Sequence, residues 1–538
     1  MRQRLLTSDN RKWWTLGAVA VGLFMIMLDN TVVNVALPSI QRDLDARLSE
    51  LEWIVSGYAL SFAALILTGG KLADLLGRRL MFVTGLAVFA AASLACALAP
   101  SAGFLIGARV VQGAGAALMN PATLSIISAA FPPRERGTAI GIWVGVSATA
   151  LAIGPLVGGL LTEHAGWSSI FYVNVPIGAL AVAASFLLID ETRDTSEEQR
   201  LDLPGLLSSG LGLFALTYAL IEANSYGWMS DRIVGAFAIA AISLVVFVLL
   251  ELRQRLPMLD LSLFRSGTFT GANAVVLLVA LAMFGVFFFI SLYMQNILGY
   301  SAVQAGAAFL PMTILVVFTA PIAGRVSDRL GSRSLLAIGM VLVGAQLLYF
   351  ATLSAQESYW ALIPGLLAGG IGIPAVMTPA TAAALSGVPV DKAGVGSAVV
   401  NTSRQVGGSI GIALMGAIMA HEIAGRQSPE AFVHGLSVAL VVAAAIAFAG
   451  SLVAVAMVRS HAEGRPARAR SPRARRLWPT PRRALRTVEH DLAHLKEIAE
   501  DGESPATPAI VTATVLAAVI PIVASAIAVA FLVAHFAR

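Results

Sequence analysis

Apolar runs of membrane-crossing length follow one another along most of the chain, broken by short polar loops. A helix needs about 20 apolar residues to cross roughly 30 Å of hydrocarbon. By that measure spans are expected at 14–37, 51–72, 80–99, 102–127, 137–161, 169–189, 204–222, 232–252, 268–292, 303–323, 334–354, 359–383, 394–420 and 435–457. A further apolar run lies at 509–536, interrupted by Pro521. The runs are continuous, so each reads as a helix that satisfies its own backbone; a barrel would need short alternating strands. The expected fold class is all-α, a polytopic membrane protein.

Two polar loops repeat. Gly70-Lys71-Leu72-Ala73-Asp74-Leu75-Leu76-Gly77-Arg78-Arg79 follows span 2, and Gly324-Arg325-Val326-Ser327-Asp328-Arg329-Leu330-Gly331-Ser332-Arg333 follows span 10. Gly, a base, Asp, a second Gly and a final Arg recur at matching offsets. Eight crossings separate the loops, so both lie on one side and the repeat is parallel, with its axis along the membrane normal. Six spans per half leave spans 7 and 8 as an inserted pair. The expected organisation is an N-terminal segment 1–12, a six-helix bundle 13–190, the inserted pair with its linkers 191–267, a second bundle 268–458, a basic tail 459–508 and the apolar segment 509–538.

Charge then orients the chain. If the N-terminus is cytoplasmic, Arg2, Arg4, Arg11 and Lys12 are inside, with Lys71, Arg78, Arg79, Arg134, Arg136, Arg193, Arg200, Arg253, Arg255, Arg265, Arg325, Arg329, Arg333 and Lys392. The opposite loops hold Arg42, Arg47, Arg232 and Arg426. This asymmetry places both ends of the 14-span body, and so the N-terminus, on the cytoplasmic side. The net charge of +5 reflects topology, and no nucleic-acid partner is expected. Cys96 is the single cysteine, so no intramolecular disulfide forms. The Arg/Pro/Ala-rich stretch Arg459–Arg486 is expected to attract anionic lipid. Beyond it, Leu485, Val488, Leu492 and Leu495 mark a short amphipathic helix.

A charge at a helix centre costs about 2.5–3.5 kcal/mol on insertion scales, so each needs a partner or water. At 1.5 Å per residue, Asp29 lies roughly 22 Å up span 1 and Arg109 roughly 10 Å down span 4 from the other side. Both fall in the outer half of the membrane, at a depth where they can pair. Such a pair is either a proton-coupling device or a static clamp. Arg404 lies near mid-membrane in span 13 beside Asn401, Thr402, Ser403 and Gln405; it reads equally as a carbonyl-bonded interface residue or as a substrate or coupling residue. Glu222 closes span 7, as a solvated terminus or a second protonatable group. In span 5, Gly141, Gly154, Pro155, Gly158 and Gly159 suggest a bent helix that lets another backbone approach closely.

In this order, these pieces resemble the 14-span drug:proton antiporters of the major facilitator superfamily, over residues 14 to about 457. The carrying stretches are Leu28–Pro38, the Gly70–Arg79 loop, Arg109-Val110-Val111-Gln112-Gly113, Gly141–Gly159, Phe171–Gly178 and Asn401–Gly408. The resemblance implies two six-helix bundles plus two inserted helices that rock to expose a central site alternately, exchanging external protons for internal lipophilic compounds. It assigns proton coupling to Arg109 and a protonation or substrate role to Asp29; the positions of Glu222 and Arg404 in their spans make them further candidates. It assigns a cytoplasmic latch to Asp74 and its nearby arginines, and the repeated loops extend the expected gate to Gly70, Asp74, Gly77, Arg78, Arg79, Gly324, Asp328, Gly331 and Arg333. Candidate substrate contacts are Asn34, Gln112, Phe284, Tyr293, Asn401 and Gln405. Leu75 replaces the base usual after the loop Asp, Ala150 replaces a Gly, and Ser168 stands where Arg is frequent.

The expected function is proton-coupled export of lipophilic antibiotics or other toxic organic compounds, neutral or weakly cationic, by a monomer that needs no cofactor or metal. Export of one endogenous metabolite, proton-driven import and a non-transporting membrane sensor or scaffold are the alternatives. No catalytic constellation is evident, so no enzyme is expected. If the run 509–536 crosses the membrane rather than forming a re-entrant or surface hairpin, a cysteine appended after Arg538 will react with an impermeant thiol reagent from outside; labelling from the cytoplasm alone rejects a fifteenth span.

Overall fold

Without water in the hydrocarbon, each apolar run must satisfy its own backbone hydrogen bonds, and the runs accordingly fold as long helices. The computed structural model describes residues 8–193, 202–254, 257, 259–386, 388, 393–423 and 428–458. The first half contains α1 (Ser8–Leu44), α2 (Leu48–Leu76), α3 (Arg78–Ala97), α4 (Ala102–Ala130), α5 (Pro133–Ala165) and α6 (Ser169–Leu188). Then come α7 (Leu203–Tyr226) and α8 (Asp231–Arg253). The second half contains α9 (Gly267–Leu292), α10 in two pieces (Ala302–Ala308 and Leu310–Leu330), α11 (Ser332–Phe350), α12 (Tyr359–Ser386), α13 (Ala393–Ile423) and α14 (Pro429–Met457). Among the described residues thirteen helices are long and apolar enough to cross a membrane, and α5 fills the remaining expected position. The basic tail, its amphipathic stretch and the run 509–536 lie outside the described residues.

Several helices outrun their apolar windows because the window marks the hydrocarbon while the helix continues into the polar interface. Local chemistry sets the ends. Ser101, Ser230, Ser266 and Ser428 each accept from the backbone N–H three residues on. Ser301 and Gln304 cap each other reciprocally. The twin loops share one conformation: Gly77 at φ 126° and Gly331 at φ 84° each separate two helices. Each donates its N–H to the carbonyl four residues back, Ala73 and Ser327. Glycine takes this left-handed backbone without strain, which accounts for its presence in both copies.

Within the first half, α4 packs on α2 and α3, while α1 packs on α4, α5 and α6. Within the second, α9 packs on α12, α13 and α14, and α11 on α12 and α14. The inserted α7 pairs with α8 and also touches α2 and α13, one helix from each half. Burial separates centre from rim: 83 % of the most apolar window of α2 is covered by protein, against 28 % in α8. Rim helices therefore present apolar side chains outward, where lipid is as good a partner as protein.

The halves meet along three seams, α1 with α9, α2 with α13 and α5 with α10. For convenience, the side carrying the twin loops is the basic face and the other the opposite face. At the opposite-face end of α5, a Cβ on Gly159 would strike the Ala302 carbonyl, and one on Gly306 the Pro155 carbonyl. Val303 N–H donates to Glu163 at 2.9 Å across the same seam. Ser291 Oγ donates to the Asn34 carbonyl at 3.0 Å. From a π-helical turn, Tyr293–Ile297, Gln295 Nε2 reaches the Val35 carbonyl at 2.9 Å. Between α2 and α13, Glu52 packs on Gly416, and Thr402 Oγ1 donates to the Ala63 carbonyl at 3.5 Å. Apart from this mid-membrane Thr402 bond, these contacts lie toward the opposite face.

Because two glycines let α5 and α10 touch backbone to backbone, Gly306→Leu is expected to part the seam. With Cys96→Ser as background, Ser291→Cys should resist an impermeant maleimide applied from the opposite face. Adding Gly306→Leu should raise its labelling rate roughly tenfold, the population change that about 1.4 kcal/mol of steric cost produces. An unchanged rate would show that this contact does not hold the face closed.

Candidate functional site

Asp29 on α1 and Arg109 on α4 form a buried ion pair, with side chains 0 % and 1 % exposed. Arg109 Nη1 donates to Asp29 Oδ2 at 2.5 Å and to Gln112 Oε1 at 2.6 Å, and its Nε donates to the Ile54 carbonyl at 3.1 Å. Gln112 Nε2 donates to Asp29 Oδ1 at 3.0 Å and to Ser93 Oγ at 3.0 Å. Asn174 Nδ2 donates to the same Ser93 oxygen at 3.0 Å. The guanidinium lies over the Tyr58 ring, 4.3 Å from its centroid, and 5.7 Å from that of Phe171. One charge pair thus ties α1, α2, α3, α4 and α6 together.

The guanidinium does not rest on the carboxylate alone. Removing one partner of a buried pair ordinarily costs about 3–5 kcal/mol, because the other charge is stranded. Besides Asp29, Arg109 has a carbonyl, an amide oxygen and two aromatic faces. Gln112 therefore works inside the ion-pair network; it is fully buried and does not line the cavity described below, where it had been expected as a substrate contact. Ser93, Asn174 and Tyr58 were not expected here. Asn174 sits in the Phe171–Gly178 stretch, and a lone amide within an apolar run was the available signal.

A cavity of about 220 Å³ lies between the halves, on the basic-face side of the α1–α9 and α5–α10 contacts. Its wall includes Asn30, Thr31 and Asn34 of α1, Phe284 and Phe287 of α9, Met312 of α10, Met377 of α12, and Arg404 and Gln405 of α13. Arg404 Nη2 donates to Asn401 Oδ1 at 2.9 Å, and Asn401 Nδ2 donates to the Ser397 carbonyl at 3.0 Å. Tyr293 lies away from this wall; its hydroxyl donates to the Ser354 carbonyl at 2.6 Å. Nine residues beyond Phe284, at about 100° per residue, Tyr293 falls on the other side of the helix, which accounts for the difference. Asp29 and its neighbour Asn30, about 100° apart on the helix, face one into the first half and one into the cavity. A change at the ion pair is therefore one residue from the cavity wall.

Glycines on α5 seat it against α1: a Cβ on Gly154 would strike the Thr31 side chain, and one on Gly158 the backbone of Val32. Pro155 lies inside the same helix, with Gly141 nearer its basic-face end. In the first twin loop, Arg78 Nη2 donates to Asp74 at 3.1 Å. Glu191 accepts from the N–H groups of Arg79 and Leu80 at 3.0 and 3.1 Å, and a Cβ on Gly77 would meet its carboxylate. Gly70 packs on Pro121. In the second loop Gly324 faces Thr378, and Arg333 is half-buried at the start of α11; the Asp328 side chain lies outside the described residues. The hydrogen bonds of Asp74 and Glu191 thus stay within the first half.

Glu222 is buried rather than solvated, because α7 continues one turn beyond it to Tyr226. It lies within Coulomb range of Glu52, a buried acid of α2 that packs on Gly416 and was not anticipated. Asn224 Nδ2, two residues on, donates to the Ala417 carbonyl at 2.6 Å. The inserted helix thereby bonds directly to the second half, beside its contact with the first.

Comparison with known proteins agrees with this architecture. The chain is 37 % identical over 413 residues to the tetracenomycin C resistance and export protein of Streptomyces glaucescens, covering 77 % of each chain. It is 40 % identical over 403 residues to the methylenomycin A resistance protein of Streptomyces coelicolor, covering 75 % of this chain and 84 % of the relative. In three dimensions it resembles an auto-inhibited peptide transporter of the POT family, with a TM-score of 0.61 at 16 % identity, over 87 % of this chain and 99 % of that one. The last likeness is one of fold. The family model described as the Major Facilitator Superfamily matches residues 19–412, a stretch that holds the ion pair, both twin loops and the cavity wall, and this multi-pass membrane protein belongs to that superfamily.

Proposed function

We propose that this protein exports lipophilic organic compounds, antibiotics among them, across a bacterial cytoplasmic membrane by alternating access, in exchange for protons. The single observation that carries the coupling is the buried Asp29–Arg109 pair on the helix that also lines the cavity. The relatives' names as antibiotic resistance and export proteins support the cargo. The concentration of Lys and Arg on the basic face supports a cytoplasmic N-terminus. With that orientation, the seams closed on the opposite face make this the inward-facing state, ready to load from the cytoplasm.

The cycle follows from the geometry. A compound enters from the cytoplasmic side and rests against Phe284, Phe287 and Met312 of the second half and α1 of the first. Rocking then parts the α5–α10 and α1–α9 contacts and closes the basic face, where Asp74, Arg78, Arg79 and their second-loop counterparts form the latch. An external proton neutralises Asp29 and loosens its hold on Arg109 and Gln112, so α1 shifts and the compound leaves. Return to the present state releases the proton inward. The potential supplies about 2.3 kcal/mol per proton per 100 mV, enough for roughly fortyfold accumulation at about 1.4 kcal/mol per tenfold.

Reconstituted into inverted vesicles under an imposed pH gradient, the protein should take up members of a dye and antibiotic panel. Asp29→Asn should insert normally yet lose gradient-driven uptake, because a neutral amide cannot alternate between paired and protonated forms. Wild-type uptake by this variant would remove Asp29 from the coupling step.

A further inference from the structure

The two intramembrane guanidiniums are provided for differently. Arg109 has a carboxylate, an amide oxygen, a carbonyl and two aromatic faces. Arg404 has the neutral amide of Asn401 at 2.9 Å, and among the described residues it forms no ion pair. It is also the one ionisable side chain among the described residues of the cavity wall, which is otherwise apolar or neutral. The nearby acids are committed elsewhere. Asp29 is held by Arg109 and Gln112, while Glu52 lies where α2 meets Gly416, away from the cavity wall.

A partly buried cation facing a largely apolar cavity without a counter-charge gains from an anion that reaches it. Guanidinium is planar, always charged and weakly hydrated, and it binds a carboxylate through two parallel N–H donors. Around it, Met27, Met283, Phe284, Phe287 and Met377 supply an adaptable apolar surface. Asn34 and Gln405 add neutral polar groups.

We infer that the cavity takes lipophilic organic anions, with Arg404 as the receptor for the oxyanion and the Phe and Met side chains as the receptor for the hydrocarbon. This departs from the neutral or weakly cationic cargo expected from the small number of intramembrane acids: among the described residues no acid lines the cavity, and a cation does. The inference rests on the export reading for the direction of travel, but binding itself does not depend on it. Exchange of one anion outward for one proton inward moves two unit charges, so the membrane potential contributes twice to the driving force.

Equilibrium binding to the full-length protein in nanodiscs, with no gradient, isolates the claim. The probes are radiolabelled 2-naphthoxyacetate, its methyl ester and 2-naphthoxyethylammonium, at a pH of about 7.5, where the carboxylic acid is ionised. The acid should bind about tenfold or more tighter than the ester, as a charge-assisted bidentate contact provides, and the ammonium compound weakest. Arg404→Gln should bring the acid-to-ester ratio close to unity. Arg404→Lys, which keeps the charge and loses the fork, should retain a smaller preference and serves as the folding control. Equal affinity for acid and ester, preference for the ammonium compound, an unchanged ratio in Arg404→Gln, or no binding of the acid would each overturn the inference. Failure of gradient-driven uptake with the binding preference intact would count against the export reading alone.

Discussion

A carboxylate and a guanidinium placed in hydrocarbon must find each other, and that requirement organises the first half of this protein. Asp29 and Arg109 come from helices that cross the membrane in opposite directions, yet they meet at one depth with Gln112, Ser93, Asn174 and the Ile54 carbonyl around them. The network fixes five helices relative to one another. It also surrounds Arg109 with neutral partners, the Ile54 carbonyl, the Gln112 amide and two aromatic rings, beside its carboxylate.

The meeting of the halves follows a different rule. Membrane helices gain little from burying apolar surface against each other, so close contact depends on small residues that admit backbone to backbone. Gly159 and Gly306 supply this between α5 and α10, and Gly154 and Gly158 hold α5 on α1. The cross-half hydrogen bonds nearby run largely from side chain to carbonyl, which suits contacts that must break and re-form. Beside them α7 spans the α2–α13 seam with the buried acids Glu52 and Glu222, placing the inserted pair against both halves.

Much of this was legible in the residues. Hydrocarbon thickness dictates span length, so the helices fall where apolar windows lie, and rise per residue brought Asp29 and Arg109 to a common depth. The Gly77 and Gly331 conformations explain why the twin loops carry glycine at matching offsets. Helix rotation was less legible. A helix that is apolar on every side carries little information on which face meets which neighbour, so Gln112 was expected in the cavity but turns into the ion-pair network. Tyr293 turns away because it stands half a turn out of phase with Phe284, a mismatch that the helical period already carried. Glu52 lies four residues into α2 and reads as an interfacial acid; its burial depends on Gly416, which lies far along the chain.

The central claim is that the protonation of Asp29 governs which face is open. Spin labels at His164 and Ser358, both exposed at opposite-face ends of different halves, would report the distance across that face in a Cys96→Ser background. Compared between acidic and alkaline buffer, the wild-type distance distribution should shift. In Asp29→Asn it should be the same at both pH values. A shift that persists undiminished in Asp29→Asn would contradict the account.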